Sequence, residues 1–241
     1  MLWDRGFCAT CLIAGTIWHV MENSILFSMR LSLQVAAVAT IFVVIAGICV
    51  AYVLARSDFR GKELVDILFT LPLVLPPTVT GYYLIVLFGR NGLIGKPFYD
   101  LTGLTIMFTW YAAALASFVV ALPLMIKTTR AAIESVDRNL INASYTLGHN
   151  EFETTMSVIL PLAKRGIIAG TVLSFARAMG EFGATLMLAG NIPGKTDTMP
   201  LAIYSIASSG EWSQAHSMAL ILTVMSGVFL YLASRFTKRI V

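Results

Sequence analysis

Long apolar stretches set the rhythm of this chain. Uncharged windows run over Leu31–Ala55, Ile67–Gly89, Leu101–Ile126 and Trp212–Ser234. Each is long enough for the ~20 residues that cross ~30 Å of hydrocarbon. A fifth window, Gly166–Gly190, has the same length but carries Arg177 and Glu181. Lipid admits helices or closed barrels, and no ten-residue alternation of a barrel strand is present. The pattern predicts an all-α polytopic membrane protein of about five spans, with room for a sixth short helix at the N-terminus.

Composition agrees: of 241 residues, 57% are hydrophobic and only 12% charged, against about 25% charged in soluble domains. Taking window ends alternately, one side collects eleven basic residues, from Arg56, Arg60 and Lys62 to Lys164, Arg165 and Arg239, and the other side five. The positive-inside rule makes the richer side cytoplasmic and leaves Asn191–Glu211 outside. The basic residues are scattered at membrane edges, so the net charge of +4 calls for lipid and not for nucleic acid.

Phe7–Met21 is apolar but short, a signal-like segment or an extra helix, and it lacks a small-residue cleavage site. Met21 is an alternative start, which makes residues 1–20 an uncertain extension and 21–241 a single transmembrane domain. Cys8 and Cys11 have C-x-x-C spacing, but no second pair follows and Cys49 lies inside a span, so they read as cysteines of an apolar helix. No metal-binding or catalytic constellation is expected: His19, His149 and His216 do not converge by any spacing. Ala189–Thr196, "AGNIPGKT", imitates a phosphate loop but lacks its first glycine, its strand and its following helix.

Two spans hold unusual residues. Pro72, Pro76 and Pro77 each remove a helix donor, so the second span is bent or broken, for architecture alone or beside a water-filled path. Arg177 and Glu181 stand four apart on one predicted helical face near mid-membrane. They form either a structural ion pair or, through Arg177, part of a translocation pathway for an anion. Gly180 and Gly183 beside them allow another backbone to come close.

The most polar stretch is Asn142–Pro161, "NASYTLGHNEFETTMSVILP". Ile133, Val136, Leu140, Ala143 and Leu147 make one stripe of a helix over 130–147. Gly148 sits where a left-handed C-terminal glycine belongs. Asn150 with Glu153 reads as a capping box for a second helix carrying Phe152, Met156 and Ile159, which Pro161 should stop. A helix, glycine turn and helix over about 130–162 on the cytoplasmic side is either a surface connector or a docking element, and the sharp capped turn favours docking.

At this point the chain resembles the membrane-spanning permease subunits of binding-protein-dependent ABC importers. Their cytoplasmic signature is E-A-A, three residues, G, nine residues, then I-x-L-P. Here that register falls on Asn142, Ala143, Ser144, Gly148, Val158, Leu160 and Pro161, with Asn142 in place of Glu and Ser144 in place of the second Ala. "LPLVLPPTVTGYYLIVLFGRNGLIG" and "FARAMGEFGATLMLAGNIPGKTDTMPLAIY" narrow the likeness to molybdate-type permeases, and sulfate permeases share much of the second segment. The resemblance implies a type I ABC importer permease fold in the cytoplasmic (inner) membrane and a homodimer. It further implies cytoplasmic ATPase subunits that use ATP, an external oxyanion-binding protein, and no catalysis or bound cofactor in this chain. A secondary transporter is the reading from another class, and it calls for internal repeats and coupling carboxylates that are not evident here.

Overall fold

The computed structural model describes residues 6–239, with side chains for 24–233 and 235. The Cys8–Cys11 pair and the expectation for residues 1–20 lie outside the described side chains. The helices are α1 (Gly6–Arg56), α2 (Lys62–Val74), α3 (Pro77–Phe88), α4 (Gly95–Thr102), α5 (Trp110–Glu134), α6 (Arg138–Thr146), α7 (Glu151–Thr154), α8 (Leu160–Met179), α9 (Gly183–Ala189), α10 (Met199–Ser208) and α11 (Trp212–Arg239). A single π-helical turn, Thr155–Ile159, joins α7 to α8. Among the described residues four helical stretches are long and apolar enough to cross a membrane: Ser24–Arg56, Trp110–Glu134, Glu151–Met179 and Trp212–Ala233. Counted as one broken span, the bent pair α2 and α3 brings the number to five, the number expected.

Three windows differ from expectation in their limits. Leu101–Ile126 is not one span: α4 ends at Thr102, Gly103 turns left-handed at φ 70°, and α5 starts at Trp110 behind a Thr109 cap that accepts the Ala112 N–H. Absence of charge marks membrane depth and carries no helical phase, so a turn inside an apolar window goes unseen. The second window breaks at Leu75–Pro76, where α2 and α3 diverge by 118°. Pro72 is accommodated inside α2, whereas Pro76 takes the N-cap position of α3 and Pro77 its first turn, where a missing N–H costs nothing. The Gly166–Gly190 window breaks at Gly180–Phe182, and its helix begins far earlier than expected, at Glu151.

The central helix is α5. Two-thirds of its apolar window is buried, against about a tenth for α11, which lies at the periphery. Ala112, Ala113, Ala116, Val120 and Ala121 meet Ala36, Ala39 and Val43 of α1 on one side and Ala184, Leu188 and Ala189 of α9 on another. Lipid gives no hydrophobic drive between helices, so small side chains that allow close van der Waals contact take that role. The same economy of volume joins the two broken spans. A Cβ on Gly81 would fall 2.7 Å from Met187 Cβ and 2.9 Å from Ala184 Cα, and one on Gly183 would fall 2.8 Å from Pro77 Cβ. Gly183 therefore does what was expected of it, while a Cβ on Gly180 would meet no other element, its nearest atom being Ala176 O of α8 at 3.8 Å.

The loop between α9 and α10 is tied to α1. Ser28 Oγ donates to Asp197 Oδ2 at 3.3 Å, and the Met199 N–H donates to Ser32 Oγ at 2.7 Å. Burial pushes the Asp197 carboxyl above the usual carboxylate range.

Two outcomes are expected. Gly183→Ala drives a methyl into a proline ring and should lower the thermal midpoint of the detergent-solubilised protein by an amount matching the ~1–3 kcal/mol of an overpacked core, whereas Gly227→Ala, with nothing within 4 Å, should not lower it. A raised folded-state pKa stabilises below the ordinary carboxylate pKa and loses that contribution as pH rises through the raised value. The wild-type midpoint should therefore fall across the acid range as pH rises, and Asp197→Asn, which keeps an acceptor for Ser28, should flatten that dependence.

Candidate functional site

The polar segment folds into a compact elbow. Asp137 caps α6 by accepting the Asn139 N–H at 2.9 Å. Gly148 turns the chain at φ 89°, and the capping box closes as expected: Asn150 Oδ1 accepts the Glu153 N–H and Glu153 Oε2 accepts the Asn150 N–H, both at 2.9 Å.

The expected single helix over 130–147 is two. Ser135–Asp137 interrupts it, and α6 restarts with a new phase. The 3-4-3-4 spacing was counted across that break, so its stripe splits. Ile133 and Val136 are buried, while Leu140, Ala143 and Leu147 face outward, and the inner face of α6 is Ile141 and Ser144. Leu147 keeps 79% of its surface exposed, which makes it the most prominent apolar side chain of the elbow. Asn142 is exposed beside it.

Ser144 departs from the signature's alanine with a visible consequence. Its hydroxyl lies 2.9 Å from Thr154 Oγ1 and 3.1 Å from His149 Nδ1, which pins α6 to α7 from inside the turn. Beneath the elbow, Ile133, Val136, Ile141, Ile159 and Ala163 form a small core, with Tyr52 and Ala55 of α1 packed against it.

Pro161 does not stop the second helix. The Leu160 N–H reaches back to Thr155 O, five residues away. The widened turn accommodates the missing donor and the ring of Pro161, so Glu151–Met179 is one continuous rod. Phe152 and Met156, both at least half exposed, line a groove with Ile48, Cys49, Tyr52 and Leu160. Val158 is half-buried and Pro161 exposed.

Arg177 and Glu181 do pair, Nη1 to Oε2 at 2.7 Å, but not on one helical face. Arg177 is in the last turn of α8, and Glu181 sits in the break that follows. The other Glu181 oxygen accepts the Ala184 N–H at 2.8 Å and so caps α9. The Glu181 side chain is 1% exposed and that of Arg177 29%. The phosphate-loop imitation is spent on its own backbone: Thr196 Oγ1 accepts the Ile192 N–H at 2.9 Å and donates to Gly190 O at 3.2 Å. Among the described residues no cluster of three or more His, Cys, Asp or Glu could hold a metal ion.

Residues 43–241 match the family described as "Binding-protein-dependent transport system inner membrane component". The chain belongs to this family. It is a permease of the inner membrane, as the likeness of its segment 142–161 implied. Among curated relatives, the molybdenum transport system permease protein ModB of Escherichia coli (strain K12) is 42% identical over 87% of this chain and 92% of its own. ModB of Haemophilus influenzae is 43% identical over 88% and 93%. The sulfate transport system permease protein CysT of Salmonella typhimurium is 33% identical over 93% and 82%. In fold, the chain matches the inward-facing MetNI methionine ABC transporter with a TM-score of 0.73 at 16% identity, over 92% of this chain and 98% of that one. This is the all-α type I ABC importer permease architecture.

Tyr52, Tyr145, Thr154, Thr155 and Asp197 take part in the geometry without having stood out in the sequence, because each matters only through a partner from a distant element.

Removing one member of a buried ion pair leaves an uncompensated charge, at a cost of ~3–5 kcal/mol. Arg177→Met and Glu181→Gln should each lower membrane abundance and thermal midpoint, and the double variant should be milder than Arg177→Met. A double variant no better than Arg177→Met, with normal abundance but no uptake, assigns Arg177 to the anion path instead.

Proposed function

We propose that this chain is the membrane-spanning subunit of an ATP-driven ABC importer that carries an oxyanion, molybdate before tungstate or sulfate, across the cytoplasmic membrane. The observation that carries the reading is the 42–43% identity to ModB permeases along more than nine-tenths of their length, against 33% to a sulfate permease. Two copies enclose the pathway, two cytoplasmic ATPase subunits supply the energy, and an external binding protein delivers the anion. ATP is bound and hydrolysed by the ATPase partner, and this chain contributes neither catalysis nor a cofactor site.

In this reading the elbow is the ATPase contact. Exposed apolar side chains on a short helix are what a groove on a partner accepts, and Leu140, Ala143 and Leu147 supply them at helical spacing, with Phe152 on the adjoining face. Asn142, in place of the signature's glutamate, offers that groove a neutral amide. When ATP draws the ATPases together, the elbows move with them. The continuous Glu151–Met179 rod carries that displacement up to the break at Gly180, where the Arg177–Glu181 pair and the α3–α9 crossing lie.

Two measurements test this. Radiolabelled molybdate uptake into vesicles should compete with tungstate, and more weakly with sulfate, and uptake displaced equally by all three removes the molybdate assignment. For the elbow, Leu147→Asp changes only an exposed position and should leave abundance and thermal midpoint unaltered while the ATPase recovered per permease falls at least about tenfold, as for a central interface anchor. Gly148→Val, where the obstacle is the left-handed backbone and not space, should act in the same direction. Full ATPase recovery by both variants leaves the elbow as a surface connector.

A further inference from the structure

Covalently, the elbow belongs to α8 through the π-turn and to α5 through Ser135–Asp137. It is also held by side chains from a third helix, α1, and these bonds cross about a hundred residues of sequence. The Tyr52 hydroxyl lies 2.8 Å from Thr155 Oγ1 and 3.1 Å from Glu151 Oε1. One helical turn further on, Arg56 Nη2 donates to the Tyr145 hydroxyl at 3.1 Å. Both limbs of the elbow are therefore gripped by the last two turns of α1.

Thr154 and Thr155 are consecutive and both buried, yet Thr154 faces Ser144 across the elbow while Thr155 faces Tyr52 of α1. The bonds are anchored in packing, since the Tyr52 ring rests on the small core under the elbow.

At its other end α1 holds the external loop, through Ser28 with Asp197 and Ser32 with the Met199 N–H. From Ser28 to Arg56 the helix is unbroken, so at 1.5 Å per residue it spans roughly 40 Å. A single rigid element is fastened at the inner end to the elbow and at the outer end to the loop on the opposite face of the membrane.

We infer that α1 is a transmission rod that links the cytoplasmic elbow to the external loop at residues 191–199, with Tyr52 and Arg56 as the positioning residues of its inner end. The inference rests on the elbow being the ATPase contact. Displacement of the elbow draws on Tyr52 and Arg56 directly, and α1 passes it to Ser28 and Ser32 without any change in the lipid-facing side chains between. The same linkage runs in reverse, so an event at the external loop reaches the ATPase side by the same helix, as reciprocity of coupled sites requires.

Amide hydrogen exchange on the full chain and on the transporter assembled with its ATPase tests this. Tyr52→Phe and Arg56→Gln remove the polar ends and keep most of the packing. In the full chain alone, amides of the elbow should exchange about two- to tenfold faster in each variant, as for loss of one side-chain hydrogen bond. Tyr52→Phe combined with Thr155→Val should have less than the sum of the two single effects, because they share one contact, and Arg56→Lys should restore part of the protection.

The decisive readout is distant. In the assembled wild-type transporter, ATP with magnesium should alter exchange at residues 191–199, and the Tyr52→Phe, Arg56→Gln double variant should lose most of that response while retaining its ATPase. An unchanged elbow, or an outer-loop response to ATP as large in the double variant as in the wild type, overturns the rod. No outer-loop response in the wild type overturns it as well. Failure of the elbow as a docking site has a separate signature, since it leaves ATPase recovery indifferent to Leu147→Asp.

Discussion

A helix that breaks inside hydrocarbon frees backbone groups that water cannot reach, and the organisation of this protein follows from how two such breaks are closed. The break before α3 and the break before α9 are brought face to face. Gly81 and Gly183 remove the side-chain volume that would hold them apart, and Ala184 and Met187 fill against Gly81. Glu181 then serves two needs with one carboxylate, accepting the Ala184 N–H that α9 leaves free and neutralising Arg177 from the end of α8. The carboxylate is buried there with one oxygen hydrogen-bonded to a backbone N–H and the other 2.7 Å from the Arg177 charge.

The elbow solves the reverse problem. It leaves apolar side chains exposed and still holds one shape, and its fixed contacts are polar and internal. The capping box, the Ser144–Thr154 contact and the left-handed Gly148 set the angle, and a small apolar core beneath seats it on α1, α5 and α8. Leu140, Ala143 and Leu147 are thereby left free of any structural task. The π-turn at Thr155–Ile159 absorbs Pro161 and makes one rod of what would otherwise be two helices, so the elbow is continuous with a span.

Between these two regions α5 and α1 provide stiffness. Their contact is made of alanines and valines at close range, which resists sliding better than long flexible side chains do. The partners proposed for this permease act at opposite faces of the membrane, and such stiffness is what communication between those faces requires.

Much of this was legible in the chain itself. Lipid imposes length and charge rules that act residue by residue, so the number of spans and the broken second span were open to reading from Leu31 to Ser234. The elbow was legible for a similar reason, because capping is a local matter of Asn150, Glu153 and Gly148. What the sequence could not supply were phase and partnership. Whether α6 continues α5 depends on Ser135 closing one helix and Asp137 capping the next, and that break split the expected stripe, leaving Ile133 and Val136 buried and Leu140, Ala143 and Leu147 outward. Whether Pro161 stops a helix depended on a π-turn, and whether Tyr52, Arg56, Ser28 or Asp197 mattered depended on residues about a hundred or more positions away. Local chemistry determined where the chain turns and where it crosses. Only packing decided which faces meet, because that is a property of several elements at once and of no single stretch.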